Sequence, residues 1–276
     1  MPQTQNNTNL FYATHPMPQP RNITLVIGQI CVMREQEQNA YKSSDYLNSE
    51  KVTVSSSDRN ALCNWAFAVC NNVQRSTAAV AFSYFDRFMG KSSIAAKQAL
   101  TDIHDFQLAF VSCLVIALKV HSGFNVESDF VSNVVCSNMY DKEEIIEMEM
   151  HILQALEWRM SGPTPHDFID RFIEVLPVME DVHLDFLTRF SKALAEDALA
   201  DYSMALQAPS SIAFASMFCA LQCMDSISAS VGDSILRCLE TISGFSIQNP
   251  HTLDQCKKMV RLTQMFSSSS AESTVQ

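Results

Sequence analysis

Apolar residues recur along most of this chain at intervals of three and four, the spacing that places side chains on one face of an α-helix. These residues do not follow the alternating apolar and polar pattern of a half-buried strand. Only six glycines occur in 276 residues, and 47% of the residues are hydrophobic. Long helices around a substantial core are therefore expected, and the sequence predicts an all-α fold.

Two apolar segments suggest a repeated architecture. FQLAFVSCLVIALKV in the first half and SSIAFASMFCALQCM in the second are both rich in small residues, which let neighbouring helices approach closely. Each is expected to be the central helix of a domain, so we predict two helical domains, 25–162 and 163–266. The flanking segments 1–24 and 267–276 hold few large apolar side chains and are expected to be disordered tails.

Helix-capping patterns mark the domain boundary. The Gly-Pro-Thr-Pro segment begins at Gly162, with Thr164 placed to cap the next helix and Pro165 at its first position. Asp141 and Glu144 have capping-box spacing before another apolar run. We therefore expect one helix to begin just after Asp141, and the second domain to begin at the Gly-Pro-Thr-Pro segment.

Charge and composition exclude several classes of protein. A net charge of −11 and an isoelectric point near 5.0 oppose broad nucleic-acid binding, which needs clustered lysine and arginine. The N-terminus has no basic region followed by an apolar core, and the longest apolar runs are shorter than the roughly 20 residues of a membrane-spanning helix. An intracellular protein, in the nucleus or cytoplasm, is expected.

The chain also lacks the patterns of an enzyme. It has no glycine-rich phosphate loop, nucleophile elbow or His-Glu-x-x-His motif, and its seven histidines and nine cysteines show no metal-ligand spacing. The cysteines are odd in number and mostly lie in apolar helical stretches, which favours buried reduced thiols. We expect neither catalytic residues nor a metal or cofactor.

A lysine closes the apolar run LVIALKVHS. On a helix, Lys119 continues the line that runs through Val115, and a second helix similarly carries Glu149 between Ile145 and Ile152. A charge in an apolar stripe is costly unless it is paired, so an ion pair between Lys119 and Glu149 is one prediction. A lysine near a helix end that extends to water and favours the helix dipole is an equally compatible interpretation.

A second pair follows from the same argument. Asp86 lies within the aromatic and aliphatic run AVAFSYFDRFMG, and Arg59 opens the helix that contains Leu62 and Trp65. An internal, bidentate salt bridge between Arg59 and Asp86 would satisfy both charges. The alternative is two solvated surface charges, which fits Arg59 better than Asp86.

Three of these segments together resemble the cyclin box: SYFDRFMG, FQLAFVSCLVIALK and EMEMHILQALEWRMSGPTPHDFIDRF. The matching residues follow in order as Arg59, Trp65, Asp86, Gln107, Lys119, Glu149 and then Pro163, Thr164 and Pro165. The similarity is clear from about Arg59 to Phe172 and weaker from 173 to 266.

The resemblance implies a fold of two tandem five-helix repeats with an N-terminal helix, and a non-catalytic activator of a cyclin-dependent kinase. It implies that Lys119 and Glu149 form the polar centre of a kinase-binding surface. The apolar part of that surface is implied at Val120, Leu153, Trp158 and Met160. Arg59 and Asp86 match the internal salt bridge of the first repeat.

The chain departs from the family pattern at two places. His121 and Ser122 stand where many cyclins carry a pair of acidic residues, which bears on the identity of the kinase. A possible substrate-docking patch matches at Leu62, Trp65 and Gln107, but Asp58 and Ala61 occupy positions that are apolar in the family. Docking of kinase substrates is therefore expected to be altered or lost.

Two functions follow from the resemblance. The first is a cyclin, a regulatory subunit that binds and activates a cyclin-dependent Ser/Thr kinase in cell-cycle control. The second is a cyclin-fold adaptor or transcription-related scaffold that binds proteins without activating a kinase. Lys119 and Glu149 favour the first function, and His121 and Ser122 favour the second.

Overall fold

A computed structural model of the chain describes residues 22–49, 51–70, 75–121, 139–224 and 227–272, with side chains to residue 262. All regular secondary structure in these ranges is helical. The helices are α1 (Ile23–Gln38), α2 (Ser56–Cys70), α3 (Arg75–Met89), α4 (Ile94–Ala99), α5 (Ile103–His121), α6 (Lys142–Ala155), α7 (Pro165–Val175), α8 (Asp181–Ala200), α9 (Tyr202–Ala205), α10 (Pro209–Gln222), α11 (Ala229–Ser243) and α12 (Pro250–Glu272).

The first repeat is built around α5, which packs against α3, α4 and α6. Every residue of α5 from Leu108 to Ala117 is buried. Aromatic rings join it to α3: the centroids of Phe82 and Phe110 are 4.4 Å apart, and Phe85 meets Phe106 edge-on at 4.9 Å. The small and aliphatic residues that suggested a central helix are thus the core of this repeat.

By length and composition, α5 could also cross a membrane. In the structure most of its apolar residues are instead covered by the other helices of the first repeat. Burial inside the protein therefore accounts for the apolar character of this helix.

The second repeat has the same plan. Its central helix, α10, packs against α7, α8, α11 and α12, and its buried residues include Ser210, Ser216 and three alanines. A short helix follows the second helix of each repeat, α4 in the first and α9 in the second. Residues 122–138 lie outside the described part of the first repeat. The all-α fold with tandem repeats, expected from the sequence, is confirmed.

The N-terminal helix packs on the second repeat rather than on the first. Val26 and Ile30 belong to the second core. Arg34 Nη1 donates to the carbonyl of Ser243, 2.6 Å away at the C-terminal end of α11. The Glu37 carboxylate accepts from the backbone N–H of Ser210, 2.9 Å away in the first turn of α10. Each charge thus faces the helix end of opposite polarity, so α1 is fixed to the second repeat although the sequence grouped it with the first.

Helix ends follow the expected caps. Thr164 and Asp167 form a capping box before α7, with Pro165 at the first position, and Asp141 and Glu144 form one before α6. The expected tails differ at their edges, because α1 begins at Ile23 and α12 continues to Glu272. Residues 267–272 are therefore helical rather than part of a tail, while 1–21 and 273–276 lie outside the described residues.

Candidate partner-binding surface

Lys119 and Glu149 meet at the surface of the first repeat. Lys119 Nζ lies 2.8 Å from both carboxylate oxygens of Glu149. The side chains are 37% and 12% exposed, so the pair is neither buried nor fully solvated. Its position follows from the packing of α5 on α6, since the buried stripe of α6, Ile145, Met148 and Ile152, holds the two helices together.

Apolar residues follow each member of this ion pair along the chain, at the end of α5 and from the end of α6 into the next turn. Val120 is 49% exposed and Trp158 is 63% exposed, while Leu153 and Met160 are half-buried against the first core. We name the set Lys119, Val120, Glu149, Leu153, Trp158 and Met160 the α5/α6 surface. Exposed apolar residues beside a charged pair are typical of a protein-binding site.

Two further residues extend this surface. Ile146 and Met150 on α6 are 45% and 44% exposed, and they lie three residues before and one residue after Glu149. With Leu153 they form an i, i+4, i+7 stripe on the outer face of the helix. Sequence analysis did not assign them, although Ile146 lies three residues before Glu149 and Met150 lies three residues before Leu153, and this helical spacing could have identified them.

The turn after α6 carries Trp158 in an uncommon conformation. Glu157 and Trp158 both have positive φ angles, 55° and 58°. Such angles are unfavourable for residues with a side chain and persist only where the surroundings hold them. Helix α3 supplies that support: Tyr84 Oη donates to the carbonyl of Met160 at 2.5 Å, and Arg87 Nη2 donates to the carbonyl of Arg159 at 2.9 Å.

His121, one of the two residues that stand where many cyclins carry an acidic pair, contacts the same support. Its Nε2 lies 2.9 Å from Tyr84 Oη. Ser122, the other residue of that pair, lies outside the described residues. The end of α5 and the turn after α6 thus meet at one hydroxyl group.

Arg59 and Asp86 form a separate, buried pair in the first repeat. Arg59 Nε and Nη2 lie 2.9 and 2.7 Å from the two Asp86 carboxylate oxygens, with Arg59 fully buried. Burial alone would lower the pKa of Arg59, but the adjacent Asp86 carboxylate outweighs it and raises that pKa above its usual value. Tyr46 Oη also donates to Asp86, and Arg59 Nη1 donates to the carbonyl of Leu199 at the end of α8. This pair fastens the first repeat internally and to the second repeat.

The residues of the possible docking patch are mostly covered. Leu62 is only 8% exposed and belongs to the first core. Trp65 packs edge-on against Phe110 at 6.1 Å, and Gln107 accepts a long, 3.4 Å hydrogen bond from the Tyr140 hydroxyl. Leu62 is thus committed to the first core, while Trp65 and Gln107 remain partly exposed.

Comparisons with known proteins agree with this architecture. A model of the cyclin N-terminal domain matches residues 29–161, and one of the cyclin C-terminal domain matches residues 163–276. Among solved structures, a viral cyclin from herpesvirus saimiri superposes with a TM-score of 0.63 at 18% identity, over 87% of this chain and 96% of that one. That likeness supports the fold.

Plant cyclins are similar in sequence. Cyclin-A1-3 of Oryza sativa subsp. japonica is 27% identical over 193 residues, which cover 68% of this chain and 37% of that protein. Putative cyclin-A3-1 of Arabidopsis thaliana is 30% identical over 195 residues, covering 68% of this chain and 51% of that protein. The chain thus spans about half or less of the length of these relatives. Because the two domain models together match almost the whole described chain, the protein belongs to the cyclin family.

Proposed function

We propose that this protein binds a cyclin-dependent Ser/Thr kinase through the α5/α6 surface and activates it, in the nucleus or cytoplasm. The observation that carries the proposal is the half-exposed ion pair between Lys119 and Glu149, framed by exposed Val120 and Trp158. Exposed ion pairs stabilise proteins weakly, so a contribution to folding alone does not account for an ion pair at this position. A partner that covers the pair would strengthen it by excluding water.

The mechanism is a shift of population in the kinase. Protein kinases need a strand lysine paired with a glutamate on a mobile helix before the ATP phosphates are held correctly. A protein that binds only the helix-in state moves the equilibrium toward that state by its difference in affinity for the two states. The cyclin-family protein supplies the binding surface, and the kinase supplies the chemistry.

An adaptor that binds proteins without activating a kinase is the second candidate. His121 and Ser122 favour it, because many family members carry acidic residues at these two positions. The burial of Leu62 favours it as well, because a side chain in the first core is not available for recruiting kinase substrates.

Binding and kinase assays distinguish these functions. The purified chain is tested against cyclin-dependent kinases, and wild type is compared with Lys119→Ala and Glu149→Ala. We expect wild type to bind one kinase and raise its activity, and each substitution to lower affinity about tenfold or more. Lys192→Ala is a matched control, because Lys192 forms a similarly exposed pair with Asp170, 2.7 Å away on the second repeat.

The possible results separate the alternatives. Affinity unchanged in Lys119→Ala and Glu149→Ala would show that the pair is structural and that the surface assignment is wrong. A kinase that binds wild type without gaining activity would favour the adaptor. An equal loss of affinity in Lys192→Ala would show that the effect is general rather than specific to this surface.

A further inference from the structure

The turn that presents Trp158 combines an unfavourable backbone with an exposed side chain. Two consecutive residues, Glu157 and Trp158, have left-handed backbone angles, which are unfavourable in residues other than glycine. Trp158 is also 63% exposed, so packing of its ring does not hold it in place. The Trp158 N–H donates to the carbonyl of Leu153 at 2.9 Å, and the Arg159 N–H donates to that of Leu156 at 3.0 Å. Contacts to the residues that follow Trp158 add to these local bonds.

Helix α3 fixes that backbone through two carbonyl groups. Arg87 Nη2 donates to the carbonyl of Arg159, and the Arg87 side chain lies beneath the ring of Tyr41, 4.6 Å from its centroid. Arg87 is only 3% exposed, and among the described residues no carboxylate lies within 4 Å of it. A cation this deeply buried without a counter-charge is costly, and its bond to the turn and its contact with the Tyr41 ring offset part of that cost.

The hydroxyl of Tyr84 links two parts of the α5/α6 surface by hydrogen bonds. It donates its one proton to the carbonyl of Met160, 2.5 Å away, and it also lies 2.9 Å from His121 Nε2. Because a hydroxyl has a single proton, the second bond requires Nε2 of His121 to carry a hydrogen and donate it. His121 follows Val120 directly on α5, so this bond ties the helix that presents Val120 to the turn that presents Trp158.

We propose that Tyr84 and His121 are positioning residues of the α5/α6 surface, and that the histidine is the feature that lets Tyr84 hold both segments at once. An acidic residue at position 121 accepts hydrogen bonds but cannot donate one when ionised. It would compete with the Met160 carbonyl for the only proton of Tyr84, and the turn would lose its anchor. This inference rests on the proposed kinase binding for its consequence, and on the hydrogen bonds alone for its geometry.

The test uses the full chain and a cyclin-dependent kinase that wild type binds. Tyr84→Phe removes only the hydroxyl, and His121→Glu replaces the N–H donor with an ionised acceptor. Each is expected to lower kinase affinity about tenfold. The double variant is expected to lose no more affinity than either single variant, since both substitutions disrupt the same hydrogen-bonded link. His121→Gln, which keeps an N–H donor, is expected to retain at least half of the wild-type affinity.

Tyr202→Phe is the matched control. It also removes one hydroxyl, which accepts from the backbone N–H groups of Tyr46 and Leu47 between the two repeats and does not contact the turn. We expect Tyr202→Phe to bind the kinase as wild type does. Additive losses in the double variant, or an equal loss in Tyr202→Phe, would overturn the proposal.

A measurement on the free protein makes the positioning role independent of any partner. The chain has two tryptophans, so Trp65→Phe leaves Trp158 as the only one. In that background, Tyr84→Phe and His121→Glu are expected to lower the fluorescence anisotropy of Trp158 at temperatures where the fold is intact, and Tyr202→Phe is expected to leave it unchanged. Unchanged anisotropy in Tyr84→Phe would overturn the proposal even if no kinase bound.

The two proposals fail in different ways. If Trp158→Ala loses affinity but Tyr84→Phe binds like wild type, kinase binding stands and the positioning role is wrong. If Lys119→Ala and Trp158→Ala both bind like wild type while the anisotropy of Trp158 falls in Tyr84→Phe and His121→Glu, the positioning role stands and the assigned kinase-binding site is wrong.

Discussion

Two ion pairs in the first repeat differ mainly in burial. Arg59 and Asp86 have side chains that are 0% and 5% exposed, whereas those of Lys119 and Glu149 are 37% and 12% exposed. Both pairs lie in apolar surroundings in the sequence, and the same argument predicted both. The difference teaches that pairing alone does not reveal a role: the buried pair is committed to the fold, and the half-exposed pair is accessible to a partner.

The contacts of each pair explain this division. The Arg59 guanidinium donates through Nε, Nη1 and Nη2, and it stands over the ring of Phe82 at 4.8 Å. All three guanidinium nitrogens thus donate hydrogen bonds within the protein, and the buried side chain is not accessible to water or to a partner. Lys119 bonds only to Glu149 among the described residues and sits in the last turn of α5, where solvent weakens the attraction between the charges.

The largest effect is expected from breaking the buried pair. Arg59→Met should lower the free energy of unfolding by about 3 to 5 kcal/mol, because it leaves the Asp86 carboxylate buried without its counter-charge. It also leaves the carbonyl of Leu199 without its donor. Chemical denaturation followed by circular dichroism measures the change, and a loss below about 1 kcal/mol would contradict the structural role.

Replacing both partners sharpens this result. Arg59→Met combined with Asp86→Leu removes the stranded charge, so the double variant is expected to be more stable than Arg59→Met alone. A double variant less stable than either single variant would show that the pair contributes more than the cost of an unpaired charge. The same denaturation series provides the comparison.

An intermediate effect is expected at Asp197 on α8, where a half-buried carboxylate lies beside an ion pair rather than in one. The Arg75 guanidinium bonds to the neighbouring Glu196 at 2.5 Å. Burial, with a smaller contribution from the Glu196 charge, raises the pKa of Asp197 to about 6. Because the folded protein holds this proton more tightly than the unfolded chain does, the contribution of Asp197 to stability is present in acid and is lost as the pH rises through about 6.

Asp197→Asn tests that sign. The amide resembles the neutral acid, so the variant is expected to be about 1 to 2 kcal/mol more stable than wild type at pH 7.5, after allowance for partial exposure. The advantage should shrink as the pH falls through about 6 and vanish below the ordinary pKa of the carboxyl group. Unfolding measured across this range checks it, and a pH-independent difference would contradict the assignment.

The smallest effect on stability is expected at the half-exposed pair. Lys119→Met should change the free energy of unfolding by less than about 1 kcal/mol, because exposed pairs gain little over water. The apolar replacement keeps an unbranched side chain of similar length. Denaturation at low and high salt measures the change; a loss as large as that of Arg59→Met would remove the contrast between the two pairs.

The features best predicted from the sequence are local or periodic. The capping residues Asp141 and Thr164 mark helix starts because their side chains bond to backbone groups three residues away, a contact that needs no tertiary structure. The central helix α5 could be predicted from the sequence because a helix that is buried on nearly all sides is apolar on nearly all sides.

Other features depended on chain segments that are distant in sequence. Arg34 and Glu37 attach α1 to helix ends about 170 to 210 residues away, and nothing in the local pattern identifies those partners. The bond between Tyr84 and His121 likewise joins residues on two helices, and it depends on a single hydroxyl proton. Spacing along the chain could not reveal either contact.

The sequence by itself determined the helical fold and the division into two repeats, and it suggested two ion pairs, because these follow from periodicity, capping and the cost of burying charge. Only the tertiary structure decided which pair is sealed in the core and which meets solvent. It also decided that Tyr84 and Arg87 of α3 hold the turn that presents Trp158. Burial depends on how helices pack in three dimensions. A charge in an apolar stripe can therefore lie either in the core or at the solvent-exposed surface.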